Sequence, residues 1–432
     1  MSAASTRESL ARLRDVGRLL RERSAADVHA ALGDALDAWS APDSRWQSAL
    51  AEALATTSGF SPAMLREGLA RGLSPYTGAA LHAVVQDEVG GAARLDATTG
   101  LQARGFASAA TVLAGAIPLP TFVAIVAPLA LRTPVLVKPS LHDPVSAALF
   151  ARSLAERDPL LGACVEIAAF HRDDAESLAA FCEAECVVAT GSDAAVAAVA
   201  RGFASAAERC GAAPRRFTGY GHRSSLAILG PGATRGAALE TAAAALALDV
   251  ALWDQLGCLS PLAVHVADPS RSAAERVAES LAAALADAEL RWPRGRIDAA
   301  DAAAIARERA EAEMRDTVVF ASRGTAWSVV CEAGLEPRSA PLHRFVRVHP
   351  SANIDVCLAA LRSQRVPLAG VALAGFDDAT PAIGAALAAL GASRICAPGT
   401  LQSPPLGWPR DNRRVLTPFA QSCEIETDGR DG

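Results

Sequence analysis

The run FASAATVLAGAIPLPTFVAIVAPLALRTPVLVKPS, residues 106–140, decides how this chain folds. From Phe106 to Leu131 it carries no charge and exceeds the ~20 residues that a helix needs to cross a bilayer. Pro118, Pro120, Pro128 and Gly115 interrupt it, and a proline inside a helix costs about 3 kcal/mol. A buried strand, a turn and a helix fit better, because strands covered on both faces read as unbroken apolar runs. PVLVK (134–138), stopped by Pro139, then supplies the next strand. No membrane span is expected here.

Outward from this run, short β-type segments alternate with Ala-rich helical ones. CVEIA (164–168), ECVVAT (185–190) and SLAILG (225–230) are separated by helical stretches at 143–156, 173–183 and 192–207. That order predicts an α/β fold with a parallel sheet covered on both faces. A second α/β series follows residue 258. It comprises PLAVHVA (261–267), a helix over 271–289, then TVVFA, WSVVC, RFVRV, VPLAGVALAG (366–375) and SRICAP. Residues 292–316 read as a solvated helix and connector, and residues 1–100 as helices with a weak linker at LSPYTGAA. The expected division is a helical region (1–104), a first α/β domain (105–250), a second (251–410) and a tail (411–432).

Composition narrows the function. The chain has 432 residues, enough for two or three domains. Its net charge of −6, with basic residues spread along the chain, makes no case for nucleic-acid binding. The N-terminal RESLARLRDVGRLLRERSAADVHAAL is a charged amphipathic helix rather than a secretory signal. Nine scattered cysteines, an odd number, indicate free thiols in a reducing compartment, hence a cytoplasmic protein. Cys182 and Cys186 lie four apart, but no second pair follows at zinc-site spacing, so no metal is expected.

Sheets of this kind bind ligands beyond the carboxyl ends of their strands. Lys138 sits at such an end, where a surface lysine is an equal reading. In ATGSDAAVAAVA (189–200), Gly191 and Ser192 open a helix whose free N–H groups favour phosphate. An ordinary serine N-cap explains these letters as well. GYGHRS (219–224) lacks the third glycine of the dinucleotide fingerprint. ALWDQLGCLSP (251–261) places Cys258 in a polar turn, as a reactive thiol or a structural cysteine.

Taken in order, the Pro-containing turn, VLVKPS, TGS, GYGHRSS and the cysteine turn resemble the aldehyde dehydrogenase superfamily. Within it, WDQLGCLSP and SRICAPGTLQSPPLGWPRDN are similar to LuxC-type long-chain acyl-CoA reductases, from about residue 105 to the end. The resemblance implies an aldehyde dehydrogenase-like fold. Residues 105–250 would be a Rossmann-type nicotinamide-cofactor domain and 251–410 the catalytic domain, with the tail contributing to a homo-oligomer. It makes Cys258 the nucleophile, Lys138 and Ser140 the adenosine-ribose turn, and Gly191 and Ser192 the pyrophosphate turn. It implies reduction of an acyl-CoA or acyl-protein thioester to an aldehyde, and allows an acyl-transferring or activating partner protein. NADPH is the expected cofactor, because Leu141 stands where NAD-preferring relatives carry a Glu.

Three departures from the resemblance matter. Ala116 in GAIP replaces an Asn that helps hold the oxyanion. RRFTGYGHRSS (215–225) has no carboxylate to activate water, and PLHRFVRVHP lacks the Glu-x-Phe-Gly motif. Oxidation of aldehydes to acids, or a catalytically degenerate subunit of an acyl-reductase complex, are the alternatives.

Overall fold

The computed structural model describes residues 1–426 except 208, 209, 211–213, 271 and 316. Its first hundred residues hold six helices, from Ala3–Glu22 to Ala92–Asp96. Four begin at serines: Ser2, Ser24, Ser44 and Ser61 each accept an N–H from the third residue on, satisfying a donor the helix leaves free. Helix Pro62–Leu73 ends at the Ser-Pro of LSPYTGAA, where the linker was expected. These helices share one apolar core with the sheet that follows, through Leu32, Trp39 and Leu65 against Phe122, Val135 and Phe150.

The first strand, β1 (Gly100–Arg104), stands apart. The all-parallel sheet that follows contains β2 (Ala109–Val112), β3 (Val135–Lys138), β4 (Val165–Ile167), β5 (Cys186–Thr190) and β6 (Arg216–Tyr220), in the order β4-β3-β2-β5-β6. Residues 106–131 divide into β2, a turn, and the buried helix Leu119–Ala130, with Pro128 in its last turn. Val135, Leu136 and Val137 are fully buried, as strands covered on both faces must be. Strand order reverses between β2 and β5, which opens a crevice beyond their carboxyl ends.

The second sheet holds β7 (Ser224–Leu229), β8 (Pro261–Ala267), β9 (Val318–Ala321), β10 (Ser328–Cys331), β11 (Phe345–Ser351), β12 (Leu368–Ala374) and β13 (Arg394–Cys396). Its order is β13-β12-β7-β8-β11-β10-β9, parallel except where β9 meets β10. Finally β14 (Gln421–Ile425) returns to pair antiparallel with β1. The chain passes from one sheet to the other between Tyr220 and Ser224. SLAILG therefore belongs to the second sheet. Among the described residues, one helical segment, Gly236–Gln255, is long and apolar enough to cross a membrane; Leu246, Ala247 and Val250 instead lie in the second sheet's core.

Candidate active site

The turn after β2 joins the candidate residues. Gly115 takes φ +87, which favours glycine. On one side, Leu113 donates its N–H to the carbonyl of Lys138 at 2.9 Å. Ala114 faces Gly191, where an added Cβ would stand 3.7 Å from its own. On the other side, Ile117 faces the cysteine turn: a Cβ on Gly257 would lie 2.7 Å from Ile117 Cδ1. The turn thus touches the ends of β3 and β5 and the residue before Cys258.

On the β3–β5 side the groups suit an anionic nucleotide. Lys138 is half-buried, its ammonium 5.0 Å from the centre of the Phe170 ring, and burial lowers its pKa. The exposed tip of the KPS turn carries Leu141, and Ser140 Oγ accepts the N–H of His142 at 3.2 Å. Beyond β5, Ser192 caps the helix Asp193–Ala207 by accepting the N–H of Ala195. Asp193 accepts the N–H of His222 at 2.9 Å and so ties down the GYGHRS turn. That stretch itself has no carboxylate, but this one docks on it. Arg410, at the end of the second domain, lies over the Tyr220 ring at 4.8 Å and reaches Thr190 Oγ1 at 3.5 Å.

The cysteine turn is built with unusual backbone. Trp253, Asp254 and Gln255 take φ of 57, 50 and 64, and Leu342, His343 and Arg344 take 65, 56 and 66. Two left-handed runs of non-glycine residues are costly, and they are locked to each other. Arg344 Nε and Nη2 donate to Asp254 Oδ1 at 3.0 and 2.7 Å, with both side chains buried. Gly295 donates to Asp254 Oδ2, while Gln255 exchanges hydrogen bonds with the backbone of Phe345. The Asp254 carboxylate and the Gln255 amide therefore brace the turn. Both are thereby engaged away from the thiol.

Past this brace Cys258 emerges exposed. Its carbonyl accepts from Ser225 Oγ at 2.7 Å, and Ser225 Oγ accepts from Gly370 N–H at 2.9 Å. Gln402 Nε2 donates to Ser260 Oγ at 2.7 Å. Asp249 accepts the N–H groups of Gly399 and Leu401, seating the APGTLQ loop beside the turn. Burial raises the Asp249 pKa to about 7 against these hydrogen bonds. Burial pushes Cys164, Cys186 and Cys357 up to about 12 and Cys331 to about 11, and raises Cys396. Besides Cys258, only Cys423 on β14 is exposed, far along the chain from either candidate turn. No cluster of His, Cys, Asp or Glu able to hold a metal occurs among the described residues.

The structure thus brings Lys138, Ser140, Gly191 and Ser192 to one sheet's carboxyl edge and links them to Cys258 through the 113–117 turn. Ser225, Asp249, Arg344 and Arg410 were missed in the sequence. Ser225, Arg344 and Arg410, like Gln402, stood inside quoted stretches without being singled out; Asp249 lay outside them.

Comparison with known proteins agrees with this architecture. A NAD-dependent aldehyde dehydrogenase from Sinorhizobium meliloti is similar with a TM-score of 0.74 and 14% identity, covering 100% of this chain and 88% of that one. The indole-3-acetaldehyde dehydrogenase AldA of P. syringae, a mutant in complex with NAD+ and IAA, gives 0.74 at 13% identity over 98% and 88%. A NAD-dependent benzaldehyde dehydrogenase from Corynebacterium glutamicum gives 0.72 at 12% over 98% and 90%. At such identities the likeness shows the fold, which is that of the aldehyde dehydrogenases. No curated protein sequence matches the chain. The family model described as "Acyl-CoA reductase (LuxC)" matches residues 20–422, so the similarity begins well before residue 105. The chain belongs to the acyl-CoA reductase (LuxC) family and is an oxidoreductase acting on acyl or aldehyde substrates.

Proposed function

We propose that the protein reduces an acyl-CoA thioester to the aldehyde through an acyl group carried on Cys258, using NADPH. The observation that carries this reading is the exposed Cys258 standing next to the β2 turn, whose other side faces Gly191. The thiolate adds to the thioester carbonyl, the carbonyl re-forms, and the CoA thiolate leaves with the electron pair of the broken C–S bond. Splitting one difficult step in two is the gain of a covalent nucleophile. After reduction, collapse of the tetrahedral adduct returns the electron pair to Cys258 and releases the aldehyde.

The donor set at the β3–β5 edge fits a dinucleotide: Lys138, a helix start of proper length, and Arg410. Lys138 and Ser140 would hold its ribose end, and Gly191 and Ser192 its pyrophosphate. A nicotinamide nucleotide bound there would supply the hydride. Several structural relatives are complexes with NAD or are described as NAD-dependent. The exposed Leu141 presents no charge to repel a 2′-phosphate, and this favours NADPH.

Hydrolytic oxidation of aldehydes is less favoured. RRFTGYGHRSS carries no carboxylate of its own to activate water, and Asp193, which docks on it, accepts the His222 N–H through Oδ1. Following NADPH oxidation with acyl-CoA substrates of several chain lengths tests the reading. Turnover with aldehyde and oxidised cofactor but none with acyl-CoA would contradict it.

A further inference from the structure

The peptide that follows Cys258 is held from another strand. Gly257, Cys258, Leu259 and Ser260 form a turn, closed by the Ser260 N–H on the Gly257 carbonyl at 2.9 Å. Its two central residues are Cys258 and Leu259, and neither takes a positive φ. A type II turn needs a positive φ at the second of them and a type I turn does not, so the central peptide lies in the type I orientation. The carbonyl of that peptide belongs to Cys258, and it accepts Ser225 Oγ–H at 2.7 Å. Turning the peptide over would break this bond and force Leu259 into the left-handed region that favours glycine.

Ser225 reaches the turn where the sheet is irregular on both of its sides. In β12, Ala369 and Gly370 stand between the partners of Ser224 and Leu226, one residue too many. In β8, Leu262 is inserted between the partners of Ser225 and Leu226. Bulges of this kind interrupt a ladder, and they recur beside active sites, where they re-aim a side chain. Gly370 donates its N–H to Ser225 Oγ at 2.9 Å. β12 comes this close because residue 370 is glycine: an added Cβ would stand 2.9 Å from both Leu259 Cδ2 and Leu401 Cδ2. Ser225 is only 1% exposed, and its hydroxyl, as acceptor and donor at once, joins β7, β12 and the cysteine turn.

We propose that Ser225 is a positioning residue, whose hydroxyl sets the central peptide of the Cys258 turn and so the place of the thiol against the substrate carbonyl. This rests on the reading of Cys258 as the acylated nucleophile. Ser225 exchanges no proton in the reaction. Without its hydroxyl, the Cys258 carbonyl has no partner among the described residues, and an unpaired polar group draws its segment towards water or another donor. The backbone torsions of Cys258 then change, and Sγ moves with them. Reacting atoms must meet about 3–3.5 Å apart, and a misplacement of about 1 Å can cost ~10²-fold in rate.

Ser225→Ala removes only the hydroxyl, and Ser225→Thr keeps it on a side chain that suits a strand. For the full chain and both variants, CoA release is timed over a single turnover across a range of acyl-CoA concentrations, without reductant. Iodoacetamide alkylation of Cys258, which needs the thiol but no alignment with a bound substrate, and NADPH titration are measured in parallel. In Ser225→Ala the saturating rate should fall roughly 10²-fold, with half-saturating concentration, alkylation and cofactor affinity unchanged. Ser225→Thr should recover most of the rate. Acylation at the wild-type rate in the alanine variant would overturn the proposal. So would a loss carried by the half-saturating concentration, an equal fall in alkylation, weaker NADPH binding, or a threonine variant as slow as the alanine one. If acyl-CoA leaves wild-type Cys258 unmodified, the acyl-CoA reading fails on its own. The same comparison with aldehyde and NADP+, in which Cys258 also adds to a carbonyl, then decides Ser225: a slower alanine variant supports it and an equal one refutes it.

Discussion

Ile117 packs on the bare α-carbon of Gly257, tying the turn after β2 to the turn that presents Cys258. An alanine at 257 would place its Cβ 2.7 Å from Ile117 Cδ1, and 3.3 Å from both Gln402 Oε1 and Ser260 Oγ. Ile117 can swing aside, but the thiol then shifts relative to the crevice. Gly257→Ala should slow acyl transfer with cofactor affinity unchanged, since the β3–β5 edge is untouched. Single-turnover CoA release beside an NADPH titration checks it; a weakened cofactor with normal transfer would contradict the linkage.

Lys138→Ala should weaken NADPH more than NADH, because a lysine charge matters most to an added phosphate. The lysine stands over Phe170 at the carboxyl end of β3. Fluorescence titration with both cofactors reads this directly. Equal weakening would remove the basis for preferring NADPH.

Arg344→Met should be strongly destabilising. It leaves the Asp254 carboxylate buried with its charge uncompensated, and breaking one partner of such a pair costs about 3–5 kcal/mol. The strained Trp253–Gln255 run loses its brace at the same time. Urea unfolding of the variant checks the cost, and a midpoint equal to that of the wild type would show that the brace holds without the ion pair.

Asp249 gives stability a pH dependence. Its pKa is raised by burial to about 7 in the folded chain, against ~3.9 when unfolded. The folded state therefore binds the extra proton, and the sign of the linkage follows. This contribution is complete below the unfolded value and is lost as pH rises through about 7. Asp249→Asn should flatten that part of the stability profile between acid and neutral pH, in urea unfolding measured across the range. A profile that keeps the wild-type slope would mean that the slope comes from other groups.

Local pattern made the central architecture legible. The apolar run at 106–131 could be divided because prolines and Gly115 mark its turn, and PLAVHVA (261–267) coincides with β8. β6 escaped notice because RFTGY is an edge strand, only partly buried and interrupted by glycine. β1 and β14 pair residues from opposite ends of the chain and are mostly exposed, so neither carries an apolar signature. Cys258 could be singled out from its turn, but the purpose of its polar neighbours could not. Their partners, Arg344 and Phe345, lie some way down the chain in a stretch read only as a strand and for a missing motif. Ser225 and Asp249 were hidden for the same reason: each acts through a contact with residues far along the chain, made only once the second sheet is assembled.

The most direct test locates the acyl group. The intact protein is exposed to acyl-CoA without reductant, digested, and the modified peptide mapped by mass spectrometry, alongside Cys258→Ala. The acyl mass should appear on Cys258 alone, and the variant should release no CoA while binding NADPH as the wild type does. An adduct on Cys423 or any other cysteine, or acyl transfer that survives in Cys258→Ala, would contradict the assignment of the nucleophile and the mechanism built on it.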